Sequence, residues 1–357
     1  MRRIPVIIPT LNRINHLKNC INSLASCKGV KYVTLYIGLD FPPAEKYVNG
    51  YDKVCNYLIE DLHLDLESTD FQGSNVFEAI KILKASKNLG PFENSDVLIN
   101  EVKKDGFDSY IFTEDDNVFS EDFLEYIVLG LEQFKNDDYM FAVCGYMWPV
   151  NFSSVKSKSA TAICVNSISS AWGYGIWIDK VDKMRNDLSV NYLEKIAKNR
   201  KIMKRLRSEN PFIYSEFVKG YLEYSGCLIE NGKVNLIDLF YSVWSFVNDC
   251  GTVYPLKSLV RNGGNDGTGE NCEVLVYDDS MERSNRNFDY SKQNVGSFDT
   301  SSNGIVLVDN FEYANCLKKL NGFFEVSAKE LFRVDVSLFL SRILGRDIVK
   351  NLLKIVR

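Results

Sequence analysis

The segment Ser109-Tyr110-Ile111-Phe112-Thr113-Glu114-Asp115-Asp116 joins a short apolar run directly to three consecutive carboxylates. The apolar residues predict a buried β-strand, and the acids predict that this strand ends at a polar edge. In sheets of parallel strands flanked by helices, ligands bind beyond the carboxyl ends of the strands. We therefore expect residues 114–116 to lie at a ligand-binding edge.

Strand-like and helix-like patterns alternate on the N-terminal side of this segment. Val6-Ile7-Ile8 predicts a buried strand, and apolar residues at three- and four-residue spacing over 17–24 predict a helix after it. A β-branched and aromatic run at 32–37 leads to Asp40, and helical patterns follow to about residue 62, at 76–87 and at 95–104. This alternation predicts an α/β fold with a mixed, mainly parallel sheet flanked by helices.

The C-terminal segment, from about residue 336 to 357, predicts a helix with one apolar and one basic face. The apolar face contains Leu338, Phe339, Ile343, Leu344, Ile348, Leu352, Leu353 and Val356, and the basic face Arg342, Arg346, Lys350, Lys354 and Arg357. Two interpretations stay open: a helix in peripheral contact with the inner face of a membrane, or a terminal helix packed on its own domain.

Composition excludes several classes of protein. The net charge of -5 argues against nucleic acid as the main partner, since such proteins carry a strongly basic face. The two histidines, His16 and His63, rule out a multi-histidine zinc site. The nine cysteines form no C-x-x-C pair, so we expect reduced thiols and a cytoplasmic location.

The acidic triplet, Glu114-Asp115-Asp116, needs positive charge or hydrogen-bond donors around it because its members repel one another. Mn²⁺ and Mg²⁺ bind such oxygen ligands and take phosphate oxygens for the rest of their shell. A cation there can neutralise charge that develops on a departing diphosphate. A solvated turn with a helix cap is the alternative, but the position directly after an apolar strand favours the metal site.

Three stretches resemble a known enzyme family. Residues 7–13, Ile-Ile-Pro-Thr-Leu-Asn-Arg, are similar to the opening of inverting GT-A glycosyltransferases of families 2 and 13. Residues 110–126, with the triplet followed by Asp122-Phe123, resemble family 13, the N-acetylglucosaminyltransferase I type. Residues 170–177, Ser-Ala-Trp-Gly-Tyr-Gly-Ile-Trp, resemble its Gly-x-Gly-Trp acceptor-side segment. The likeness is most specific over residues 4–40 and 108–126.

The resemblance implies a GT-A catalytic domain over residues 1–275. Residues 1–126 would bind the nucleotide-sugar and 127–275 the acceptor, with a loop or lid and a helical extension at 276–357. The implied activity is inverting transfer of GlcNAc or another hexose from a UDP-sugar to a glycan or lipid-linked glycan, in the biosynthesis of a surface polysaccharide. The implied cofactor is Mn²⁺ or Mg²⁺.

Roles for single residues follow from the same resemblance. It places Asp116 on the metal and the other two acids of the triplet, Glu114 and Asp115, on the donor sugar and ribose. The residues expected to line the nucleotide pocket are Pro9, Thr10, Arg13, Asp40, Asn88 and Gly90. A surface charge is the alternative for Arg13, and a turn residue before two prolines is the alternative for Asp40.

The general base is expected in the second half of the chain. Asp238 stands at the head of an apolar helix, where desolvation can raise its pKa toward a useful value. The resemblance agrees, because related enzymes place an aspartate before an aromatic-rich helix at this point. A helix N-cap explains the same aspartate, and both roles are compatible. Glu216, Asp249 and Asp266 are reserve candidates.

A glycine-rich segment at residues 262–269 resembles a C-terminal loop of bacterial polysaccharide transferases. Its glycines let the backbone approach a ligand closely, with Lys257 or Arg261 available to a diphosphate. Bacterial relatives often have histidine shortly after the final glycine, whereas this chain has Glu270-Asn271-Cys272. A plain surface loop is the alternative.

Two other functions fit the sequence less well. A sugar-phosphate nucleotidyltransferase needs a glycine-rich loop after the first strand, and residues 9–13 contain no glycine. A sugar-binding module without catalysis is favoured where metal-site carboxylates are missing, and here they are present.

Overall fold

A computed structural model describes residues 2–156, 159–222, 229–230, 233–234, 237–264, 266–268, 289–299 and 304–355. The strands within these ranges are β1 (Ile4–Thr10), β2 (Val33–Leu39), β3 (Ala79–Lys84), β4 (Ser109–Phe112), β5 (Asn117–Phe119), β6 (Met140–Cys144), β7 (Ala162–Val165), β8 (Tyr174–Trp177), β9 (Ile229–Glu230), β10 (Lys233–Val234), β11 (Gly251–Pro255) and β12 (Val260–Asn262). The α-helices are α1 (Ile14–Ala25), α2 (Glu45–Asn56), α3 (Gly90–Lys104), α4 (Phe123–Gln133), α5 (Ile178–Asn186), α6 (Val190–Lys198), α7 (Arg200–Glu209), α8 (Pro211–Tyr221), α9 (Ile237–Val247), α10 (Asn310–Phe323), α11 (Ala328–Leu344) and α12 (Arg346–Ile355).

The main sheet has eight strands in the described part of the chain, in the order β3-β2-β1-β4-β8-β6-β11-β7. The pairs β3-β2, β2-β1, β1-β4 and β6-β11 are parallel, whereas β8 runs antiparallel to both its neighbours and β7 runs antiparallel to β11. The predicted α/β class, a mixed and mainly parallel sheet flanked by helices with helices at the C-terminus, is confirmed.

Strand β1 separates two hydrophobic cores. Val6 and Ile8 pack in one core with the apolar face of α1, and Ile7 packs in the other with α3. All three side chains are fully buried, as expected for a central parallel strand that is covered on both faces. The predicted boundaries at residues 126 and 275 stay predictions, and described residues from all three predicted segments contribute to these cores.

The sequence prediction was wrong for residues 76–87, where a helix was expected and β3 is found. Lys81 interrupts the apolar pattern of this strand, yet its side chain is buried beside Glu101 (2.6 Å) and Asp105 (2.9 Å). Glu101 belongs to α3, and Asp105 follows it. The buried charge of Lys81 is therefore paired through tertiary contacts, and no local sequence pattern indicates this.

The C-terminal prediction needs a second correction. The single helix expected from about residue 336 to 357 is two helices, α11 and α12, and the first begins earlier, at Ala328. Gly345 separates them with a φ of 91°, a conformation that favours glycine. The first part of the predicted loop or lid and extension at 276–357 lies largely outside the described residues, which before Gly304 include only 289–299.

Candidate functional site

Three parallel strands bring polar residues to one edge of the sheet. Thr10 ends β1, Asp40 follows β2, and the acidic triplet follows β4 after Thr113. Because β1 runs parallel to both β2 and β4, their carboxyl ends point the same way. Of these residues, Thr10, Asp40, Asp115 and Asp116 are buried. The edge is where the sequence predicted ligand binding.

Arg13 lies between the two aspartates of the triplet. Its guanidinium pairs with Asp115 and lies 2.8 Å from Oδ2 of Asp116. Thr10 donates its hydroxyl to the other Asp115 oxygen at 2.8 Å. Burial works to lower the pKa of Arg13, but the charges of Asp115 and Asp116 outweigh burial and raise it. Arg13 is therefore a fixed positive charge inside the site and not a surface charge.

The glycine loop, which we define as the described residues of 262–268, reaches the triplet from the far end of the chain. Asn262 donates its side-chain amide to Oδ1 of Asp116 at 2.7 Å, and the Gly263 N–H donates to the Asp116 carbonyl at 2.8 Å. Gly264 lies so close to the Asp116 carboxylate that a Cβ atom would overlap it. The pairing of β12 with β5 holds the loop there.

His16 fastens the outer part of the same loop to α1. Its Nε2 lies 2.9 Å from Oδ2 of Asp266 and 3.5 Å from Oγ1 of Thr268. Burial works to raise the pKa of Asp266, but hydrogen bonds from Thr268 and His16 outweigh it and lower that pKa. A low pKa makes Asp266 a weak candidate for the general base. Residues 265 and 269–272, including the place where relatives have histidine, lie outside the described residues.

Sequence reasoning missed both Asn262 and His16. Asn262 is 146 residues from its partner Asp116, and His16 is 250 residues from Asp266. The signal available for Asn262 is its position just before Gly263-Gly264, since a polar side chain beside a close backbone approach often faces the same ligand. His16 had only its spacing, one helical turn after Arg13.

Asp40 connects β2 to the start of α3. Its carboxylate accepts the backbone N–H groups of Leu89 (2.8 Å) and Gly90 (2.9 Å), together with the Asn88 amide (3.2 Å). The N–H of Phe41 adds a fourth bond at 2.8 Å. The predicted nucleotide ligands Asn88 and Gly90 are therefore brought to Asp40, and four bonds engage about all the acceptor sites that a carboxylate has. Contact of Asp40, Asn88 and Gly90 with a nucleotide stays a prediction. Pro9, paired with Gly38 in the sheet, is partly exposed beside them.

Asp238 lies in the first turn of α9 and acts electrostatically on the triplet. Burial is the main cause that raises the pKa of Glu114 well above its ordinary value, and the charges of Asp116 and Asp238 raise it further. Asp238 keeps an accessible surface, but the protein packed around it desolvates the carboxylate and raises its pKa to about 6. The charge of the predicted base therefore acts on Glu114 of the triplet, and its pKa suits proton transfer near neutrality.

The side chains near the acidic triplet determine whether a metal ion can bind there. Among the residues that the structure describes, no three His, Cys, Asp or Glu side chains are grouped so as to hold a metal ion. Mg²⁺-like cations that act on phosphates need only one or two carboxylates, because phosphates and water complete the shell. Asp116 and Asp115 fit that smaller requirement. Their oxygens now contact Arg13, so a cation there would compete with the guanidinium.

Three tryptophans between residues 148 and 177 differ in their exposure. Trp148 and Trp177 are buried in the core. Trp172 is partly exposed, with ring centroids 4.6 Å from Tyr146 and 5.2 Å from Tyr290. Only an exposed ring can stack on a ligand, so Trp172 is the one of these three tryptophans that remains available.

Comparison with known proteins gives partial overlaps only. No protein-family description matches the sequence, and no curated protein matches it. The mannosyltransferase PcManGT from Pyrobaculum calidifontis, in complex with GDP-Man and Mn²⁺, is 13% identical, with a TM-score of 0.34 over 52% of this chain and 47% of its own. S. aureus TarS 1–349 in complex with UDP-GlcNAc is 18% identical, with a TM-score of 0.34 over 53% of this chain and 48% of its own. Another structure of S. aureus TarS 1–349 is 16% identical, with a TM-score of 0.36 over 70% of this chain and 71% of its own.

This chain spans about half the length of the first two structures. Overlaps at these identities and TM-scores assign no activity to it. The site described above has to carry any assignment.

Proposed function

We propose that this protein is an inverting glycosyltransferase of the GT-A type that uses a nucleotide-sugar donor. The observation that carries the proposal is the convergence of three separate segments on the acidic triplet that follows β4. The β1–α1 turn brings Arg13 and the glycine loop brings Asn262 into contact with Asp116, and the charge of Asp238 on α9 adds to burial in raising the pKa of Glu114. Such a site combines fixed charges of both signs with the Asp238 carboxylate, whose pKa the surrounding protein raises. Transfer from a diphosphate requires this combination.

The donor diphosphate would lie against the triplet and Arg13. Arg13 offers a planar guanidinium that suits phosphate oxygens, and Gly264 lets the backbone of the glycine loop pack directly against the Asp116 carboxylate. A bound Mn²⁺ or Mg²⁺, held by Asp116 with Asp115 beside it, would supply positive charge to the departing diphosphate. UDP-GlcNAc and other UDP-hexoses are the donors to test first.

The transfer step assigns the proton to Asp238. The acceptor hydroxyl oxygen forms a bond to the anomeric carbon while the bond from that carbon to the diphosphate oxygen breaks, and the hydroxyl proton passes to the Asp238 carboxylate. With a pKa of about 6, Asp238 is mostly deprotonated at pH 7 and still basic enough to accept a proton. Attack from the face opposite the leaving group gives inversion.

The acceptor is proposed to be a glycan or a lipid-linked glycan of a surface polysaccharide. Trp172 supports this choice, because partly exposed aromatic rings offer apolar faces to sugar rings.

Nucleotide binding tests the proposal. We expect UDP to bind with a Kd at least about tenfold lower when Mn²⁺ is present, as measured by isothermal titration calorimetry. Asp116→Asn should lose most of the metal-dependent gain. Asp108→Asn is the matched control, because Asp108 precedes β4 at the opposite edge of the sheet and pairs there with Arg2. Metal-independent binding of every nucleotide, equal in both variants, would overturn the proposal. Formation of pyrophosphate from UTP and a sugar phosphate would assign the site to a nucleotidyltransferase instead.

A further inference from the structure

Helices α11 and α12 expose a continuous set of large apolar side chains. Phe332 is 70% exposed and Ile343 is 62% exposed. The complete set is Phe332, Val336, Phe339, Ile343, Leu344, Ile348 and Leu352. The spacing of four, three and four residues from 332 to 343 places the first four members on one face of α11. We call this set the apolar face.

The acidic residues of α11 point the other way, into the protein. Oε1 of Glu330 accepts bonds from Ser215 and Lys219, each at 2.8 Å. Asp335 accepts the Tyr214 hydroxyl at 2.7 Å and pairs with Arg207. Helix α11 therefore inverts the usual arrangement, since its acids are packed against α7 and α8 while its largest apolar side chains face solvent.

Arginines near the end of α11 follow the same inward pattern. Arg342 donates to the carbonyl of Ala197 at 2.7 Å, and Arg346 donates to the carbonyl of Tyr221 at 2.8 Å. These bonds, with buried Val334 and Leu338, fix the orientation of the two helices. A helix held this way cannot hide its apolar face by rotation without breaking several ion pairs and hydrogen bonds.

Positive charges border the apolar face. Lys329 and Arg333 are exposed on either side of Phe332 in the sequence, and α7, whose Arg207 pairs with Asp335 of α11, carries exposed Arg200, Lys201 and Lys204. Arg200 lies near α11, because its charge acts on Arg342, whose pKa is lowered first by burial and also by Arg200. The main acids of α11, Glu330 and Asp335, are already neutralised by inward partners.

We propose that the apolar face and its basic border bind the surface of a membrane that contains anionic lipids. Apolar side chains on a helix in the plane of the interface enter the acyl boundary, and neighbouring basic residues attract anionic headgroups. Among the described residues, no helix is long and apolar enough to cross a membrane. A second copy of this chain fits less well, since pairing like faces would bring two basic borders together.

The proposal extends the sequence expectation and does not depend on the transferase activity. The apolar pattern read from the sequence began at Leu338, which is buried, and it left out Phe332 and Val336. It also left out α7, whose basic residues are distant in sequence from the apolar ones.

Vesicle co-sedimentation of the full chain tests this proposal with a matched pair of variants. Ile343→Asn changes the apolar face, and Ile59→Asn changes an isoleucine that is 48% exposed in the helical turn Tyr57–Asp61. We expect Ile343→Asn to lower the partition coefficient on vesicles of phosphatidylcholine with phosphatidylglycerol about tenfold. Ile59→Asn should leave it unchanged. Phe332→Ser is a second variant on the face, and the thermal midpoint checks that each variant folds.

The charge contribution is tested in the same assay. Lys201→Gln and Lys204→Gln should each weaken binding about fivefold at low salt and much less at high salt. Vesicles of phosphatidylcholine alone should bind far less of the wild-type protein. The proposal is overturned if Ile343→Asn and Ile59→Asn bind equally, or if anionic lipid has no effect. It is also overturned if light scattering finds a dimer that Ile343→Asn dissociates while no vesicle binding is seen.

Discussion

Replacement of Gly264 by alanine isolates the contact between the glycine loop and the acidic triplet. A Cβ atom at this position would overlap Oδ2 of Asp116 and lie 2.9 Å from its Cγ, closer than the 3.0 Å that real Cβ atoms respect. The carboxylate cannot move aside cheaply, because Arg13 holds Oδ2 at 2.8 Å and Asn262 holds Oδ1 at 2.7 Å. The loop or the carboxylate must therefore shift.

The expected cost of this shift follows from overpacking in other proteins, about 2 kcal/mol. For a chain of this size that corresponds to a fall of about 3 °C in Tm. Displacement of Asp116 should also weaken metal-dependent UDP binding at least about tenfold, because the carboxylate is the proposed metal ligand.

Gly263→Ala is the control, one residue away. Its Cβ atom would lie 3.4 Å from the Asp116 carbonyl, an ordinary van der Waals distance. We expect its Tm and UDP affinity to stay close to those of the wild type. Differential scanning calorimetry and titration calorimetry measure both quantities on the same samples. Equal effects of the two substitutions would refute the packing of Gly264 on Asp116.

Three further substitutions test the remaining parts of the site. Arg13→Gln leaves two buried carboxylates without their cation and should lower stability by about 3 kcal/mol; Mn²⁺ should then raise Tm more in the variant than in the wild type, and an equal rise would count against a shared cation position. Asp238→Asn should lower kcat at least about 100-fold with little change in donor KM. Since the base acts deprotonated and burial raises the pKa of Asp238 to about 6, wild-type kcat/KM should fall as pH drops below about 6; a flat profile down to pH 5 contradicts the assignment. Asp40→Asn keeps one acceptor oxygen and replaces the other with an amide donor, so either the Leu89 or the Gly90 N–H loses its acceptor, and the free energy of unfolding should fall by about 2 kcal/mol in urea denaturation; no change would show that these bonds contribute little.

Much of the fold was predictable where local pattern and tertiary role agree. Strands β1 and β4 are continuous apolar runs because both faces of the sheet are covered, and each ends in polar residues at the same edge. The prediction for β3 was wrong because Lys81, taken alone, resembles a surface residue. Its side chain is buried because Glu101 and Asp105, which lie about twenty residues further along the chain, pair with it.

The acidic residues of the candidate site were predictable from the sequence. The residues that form hydrogen bonds with them were less predictable. The triplet and Asp238 carry a local signal, a carboxylate next to an apolar element. The partners Asn262 and His16 carry only a weak local signal, because their contacts with Asp116 and Asp266 close loops of more than a hundred residues. The inverted face of α11 was also hidden, since its inward acids find their partners only on α7 and α8.

Release of UDP from a panel of UDP-sugars tests the central claim most directly. The wild-type protein, Asp116→Ala and the control Asp108→Asn are compared with and without Mn²⁺. The account predicts slow hydrolysis of one UDP-sugar that requires both Mn²⁺ and Asp116 and is unaffected in Asp108→Asn. Hydrolysis at equal rates in Asp116→Ala, or no hydrolysis of any donor together with no metal-dependent UDP binding, would contradict the assignment of the acidic triplet.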